Sequence, residues 1–75
     1  MSDTVLGIDD LTPDGVRIVV PWAVLEVGDS IFIPCVNTSL AIRQVDRVAE
    51  RNQIKLRHSI MIEDTLLGVR FWRTT

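Results

Sequence analysis

The chain of 75 residues makes one small domain, 1–75, and leaves no room for a second. With 47% apolar residues, 24% charged residues and a net charge of −2, the composition excludes a disordered polar chain. At this length folding buries only about 60% of the surface of the open chain, so the core must be dense or extended by self-association.

The first ten residues carry few signals. Val5, Leu6 and Ile8 suit a short strand, yet the polar start and Asp9-Asp10 read as an end that is free to move, over about residues 1–11. Thr12-Pro13-Asp14-Gly15 is a turn, because Pro13 presets φ and Gly15 tolerates a positive φ. Val16 to Val20 follows as a β-branched, almost continuously apolar run, and a strand is expected there, ended by Pro21. Trp22, Leu25 and Val27 mark a connection closed by Gly28-Asp29-Ser30, expected to fold back as a cap over one end of a sheet. Ile31-Phe32-Ile33 is a second strand, stopped by Pro34.

A helix is the clearest element. Asn37, Thr38 and Ser39 are all N-cap candidates, and Leu40 to about Gln53 contains neither glycine nor proline. Ala41, Val45, Val48 and Ala49 fall on one face, while Arg43, Arg47 and Arg51 line the opposite side next to Asp46 and Glu50. From Ile54 the period drops to two. The even positions Ile54, Leu56, His58, Ile60 and Ile62 alternate with Lys55, Arg57, Ser59, Met61 and Glu63, the pattern of a half-buried strand. A turn begins at Glu63-Asp64-Thr65, and Val69 to Arg73 is the last strand of a hairpin. The expected fold is therefore α+β: a small antiparallel sheet of three or four strands, in β-β-α-β-β order, with one helix packed on one face.

Little in the chain points to catalysis. One Cys and one His exclude an internal disulfide and a four-ligand zinc site. His58 falls on the apolar side of its strand, where a packed core or edge histidine is the simpler role, and Cys35 reads as a buried inert thiol. Asp9-Asp10 and Glu63-Asp64 lie in a terminus and a turn with nothing to fix them around a metal, and Gly28-Asp29-Ser30 lacks the lysine of a phosphate loop. No enzyme, cofactor or metal site is expected. No apolar run approaches the ~20 residues of a membrane span, and no basic segment followed by an apolar stretch opens the chain as a signal peptide would. A soluble cytoplasmic domain without a membrane partner is the expectation.

Binding is the more promising reading, because the charge is unevenly placed. Residues 1–37 hold six carboxylates against Arg17, a balance of −5, whereas residues 38–75 hold seven cations against four carboxylates, a balance of +3. A polyanion meets the local field rather than the total. On the side of the last hairpin turned from the helix, alternation places Lys55, Arg57 and Ser59 on one strand, with Arg70 and Trp72 on the other. Arg73 is a further candidate, although alternation turns it towards Phe71. Cations that neutralise phosphates and a flat indole that stacks on a base are what nucleic acid requires. Lys55, Arg57, Arg70, Trp72 and Arg73 are thus the candidate contacts to DNA or RNA. The same Arg and Trp groups also suit a protein interface, in a homodimer or on a host enzyme, and Trp72 would equally serve to cover a second small core. The Arg43, Arg47 and Arg51 stripe either extends the basic surface or is a solvated helix face.

Three segments resemble a family. Pro21-Trp22 with Leu25, then Gly28 to Pro34, then Gly68-Val69-Arg70-Phe71-Trp72-Arg73 are similar to segments of small phage-encoded proteins without an assigned activity. Ile31 stands where that family has Phe, and Phe71 where it has Val. The resemblance spans roughly residues 20–73 and carries no functional residues with it. It implies a phage accessory or regulatory protein acting in a host cytoplasm, of the kind that binds DNA or redirects a host protein.

Overall fold

A computed structural model describes residues 9–75. The possible strand at Val5 to Ile8 and most of the free N-terminal end lie outside them. Of that end, Leu11 is described and is fully buried. The Thr12–Gly15 turn forms as its residues dictate, with Gly15 N–H donating to Thr12 O at 3.2 Å and Gly15 at φ +83°.

The expected strand at Val16–Val20 does not form. Leu11 and Ile18 make an isolated antiparallel bridge, with two reciprocal backbone bonds of 2.9 and 2.7 Å. Ile18 and Val20 pack against the core while Val16 and Val19 stay exposed. Only Ile18 and Val20 turn inward, and Pro21 and the 3-10 turn Trp22–Val24 break the chain before a ladder can extend. Among the described residues the sheet accordingly has three strands, and in place of the β-β-α-β-β order they show one strand, one helix and two strands.

Those elements are β1 (Ser30–Pro34), α1 (Thr38–Asn52), β2 (Leu56–Glu63) and β3 (Leu66–Arg73). The sheet is antiparallel in the order β1-β3-β2. Gly28, at φ +94°, and Asp29 lead into β1. There Gly28 N–H donates to Arg73 O and Arg73 N–H to Asp29 O, so two residues oppose one as in a glycine bulge. The hairpin joining β2 and β3 is tighter than its sequence suggests. Its loop is only Asp64 and Thr65, both at positive φ (50° and 67°), as a two-residue type I′ turn requires.

Helix α1 is capped by Asn37, whose side chain accepts the Leu40 N–H at 3.1 Å. It ends on Gln53 in the left-handed region. Its apolar face, Ala41, Val45, Val48 and Ala49, is buried as the spacing requires. That face meets Ile33, Val69 and Phe71 of the sheet in one core, which Leu11, Trp22 and Leu25 extend. Trp22 is 8% exposed and its Nε1–H donates to Asp9 O at 3.0 Å. The Trp22 connection therefore closes one end of the core as a cap. Asp9 also accepts from Arg51 at 3.0 and 2.8 Å and from Asn52 at 3.2 Å, which ties the N-terminal segment to the end of α1.

Candidate nucleic-acid interface

The strand registers decide which side chains share a face. Ile31 and Ile33 of β1, Val69 and Phe71 of β3, and Leu56 and His58 of β2 lie on the helix side. Ser30, Phe32 and Pro34 therefore join Gly68, Arg70 and Trp72, and with them Arg57, Ser59, Met61 and Glu63, on the other side. Apart from Gly68, no residue of that second face is buried. Among the described residues the domain is a two-layer structure with one side of its sheet open.

Arg57 and Trp72 are directly paired across β2 and β3, and the Arg57 guanidinium lies 5.4 Å from the centre of the indole. This is the distance at which a cation is attracted to the face of an aromatic ring. Arg70 is placed differently. Its guanidinium donates twice to Glu63, at 2.6 Å each, once to Ser30 Oγ at 2.7 Å, and lies 5.8 Å from the centre of the Phe32 ring. The hydrogen bonds from Arg70 hold the Glu63 carboxyl below the usual carboxylate range and raise the pKa of Arg70. Gly68, between Leu66 and Arg70 on this face, makes the crowding possible. A Cβ there would lie 2.7 Å from Phe32 Cζ and 2.9 Å from Pro34 Cα.

Of the five candidates, Arg57, Arg70 and Trp72 are brought together on the open face. Lys55 stands just beyond the end of the ladder, exposed, with its carbonyl accepting from the N–H and the hydroxyl of Thr74. Arg73 is on the helix side, where its guanidinium donates to Leu25 O and to Thr75 O. It fastens the Trp22–Val24 cap to the sheet and does not belong to the open face. Met61 and Glu63 complete the face as alternation placed them, whereas Ser30 and Phe32 were missed. Ser30 and Phe32 alternate with Ile31 and Ile33 in the sequence, but only the register with β3 shows on which side they fall.

The Arg stripe of α1 is divided. Arg51 is committed to Asp9, with its side chain 38% exposed, whereas Arg43 and Arg47 are exposed. Cys35 is buried, with Sγ 3.5 Å from Ile33 O, and burial followed by the nearby Asp14 charge pushes its thiol up, away from a reactive thiolate. His58 is exposed on the helix side of β2, its ring 6.0 Å from that of Phe71. Among the described residues no three His, Cys, Asp or Glu side chains gather to hold a metal ion, and no helix is long and apolar enough to cross a membrane. Compared with family models, with curated proteins and with solved structures, the chain matches none.

Proposed function

We propose that this chain binds single-stranded nucleic acid on the open sheet face, in the accessory or regulatory role that its resemblance to phage proteins implies. The Arg57–Trp72 stack carries the reading. A guanidinium held over an indole presents one planar surface for a base and N–H groups for a phosphate. Phe32 adds a second half-exposed ring two residues along β1 from the strand position opposite Trp72. Arg70, locked to Glu63, shapes the floor and supplies little net charge. Lys55 and Arg57 are the cations available to phosphates. A single strand suits this face better than a duplex, because stacking needs bases that are free to turn outward.

The test is a calorimetric titration with single- and double-stranded oligonucleotides over a salt series. Two phosphate contacts give a slope of about −1.4 in log K against log salt. Trp72→Ala should lower affinity by about 1–3 kcal/mol while the fold is kept. A flat salt response, or unchanged affinity in Trp72→Ala, overturns the reading.

A further inference from the structure

The two edges of the sheet differ. β1 spans five residues and ends in Pro34, whose missing N–H would have pointed away from β3. β2 is eight residues long, has no proline, and among the described residues pairs with β3 on one side only. On its helix side, α1 stops short: Ile60 is 53% and Ile62 70% exposed, and their neighbour Leu67 on β3 is 41% exposed. A long edge with unpaired backbone groups and bare isoleucines is a template for a further strand.

The register shows which strand fits. The two-residue turn makes Glu63 and Leu66 a hydrogen-bonded pair, and alternation then sends the N–H and C=O groups of Leu56, His58, Ile60 and Ile62 outward. The Thr74 N–H bond to Lys55 O, at 2.9 Å, agrees with that phase. When a second β2 runs antiparallel with Ile60 opposite Ile60, His58 meets Ile62, and these even-numbered pairs all have their backbone groups outward. In that register Arg57 of each copy also faces Glu63 of the other. Arg57 makes no ion pair in its own chain among the described residues. Sliding by two residues one way sets Glu63 against Ser59 and loses the charge match; the other way sets Arg57 against Met61 and leaves Glu63 facing only Lys55, which lies beyond the end of β2.

We infer that two copies of the chain associate along β2 in this register, forming one six-stranded sheet. The dyad is perpendicular to the sheet, so both helices lie on one side with the four isoleucines between them. Both Arg57–Trp72 stacks lie on the other. The inference does not depend on nucleic-acid binding; where the dimer forms, Arg57 is shared between Glu63 of the other copy and any phosphate.

Sedimentation equilibrium tests it. The chain should approach twice its 8.5 kDa as concentration rises from micromolar to sub-millimolar. Ile60→Lys, at a solvent-facing position, should keep its circular dichroism spectrum and weaken association at least tenfold. Arg57→Glu and Glu63→Arg chains, each carrying two like-charged contacts across the dyad, should be monomeric alone and dimeric when mixed. A wild-type monomer throughout the range, a dimeric Ile60→Lys chain, or a mixture that stays monomeric overturns the inference.

Discussion

The Asp14 carboxylate accepts the backbone N–H groups of Val36 and Asn37 at 2.8 and 2.9 Å, bridging the first described turn to the entry of α1. Both donors precede or begin the helix, where N–H groups lack intrahelical partners and negative charge is favoured. Asp14→Ala should therefore cost about 1–2 kcal/mol in spite of its exposure. A lowered urea midpoint at unchanged slope checks this. An unchanged midpoint would mean that water replaces the carboxylate at no cost.

The two tryptophans should respond unequally to truncation. Trp22 fills the end of the core, and Trp22→Ala should destabilise by about 3–5 kcal/mol. Trp72 is only half-buried, and its removal should cost less, about 1–2 kcal/mol, from its contact with Arg57 and the area it covers. Thermal unfolding of both variants separates the roles. Comparable losses would refute the assignment of Trp72 to an open face.

Gly68 is needed for close approach and not for backbone freedom. A methyl group there meets backbone atoms of β1 as well as the Phe32 ring. Gly68→Ala should cost about 1–3 kcal/mol through overpacking and should displace Phe32. Chemical denaturation and the ring resonances of Phe32 would report the two effects.

Thr65 is a β-branched residue at φ 67°, a conformation that glycine adopts without strain. Thr65→Gly should stabilise the hairpin by about 0.5–1 kcal/mol after allowance for the greater freedom of the unfolded chain. A rise in melting temperature is the expected reading, and a fall would contradict it.

Two carboxyls set the acid limb of stability. Hydrogen bonds from Arg51 and then Asn52 lower the pKa of Asp9, and those from Arg70 lower that of Glu63. A folded-state pKa below the unfolded one means stabilisation that is complete above the ordinary carboxylate pKa and lost as pH falls through the lowered folded value. Asp9→Asn and Glu63→Gln should each flatten the acid limb. Titration of either carboxyl by NMR at an ordinary carboxylate pKa would refute the pairing.

How much was legible in the sequence follows from how local each signal is. The face and N-cap of α1, the Thr12–Gly15 turn and the alternation of β2 depend on neighbours within a few residues, and periodicity reveals them. The Val16–Val20 run misled because β-branched, apolar residues favour a strand locally while partner strands decide whether a ladder forms. Alternation put Arg57, Arg70 and Trp72 on one face and Arg73 on the other. The Glu63–Arg70 pair stayed hidden, since it depends on a two-residue loop at Asp64-Thr65 and on the space left by Gly68. Phe32 was hidden for a related reason: its side of the sheet is set by pairing with a strand almost forty residues away.

The placement of the two indoles also gives the molecule a built-in optical readout. The sequence has no tyrosine, so ultraviolet emission comes from Trp22 and Trp72 alone. One indole is shielded and the other is half-buried beside a cation, so a blue component reports cohesion of the interior and a redder one the surroundings of the sheet face. Loss of the core and change at the open face can thus be followed as separate colours in a single unlabelled sample.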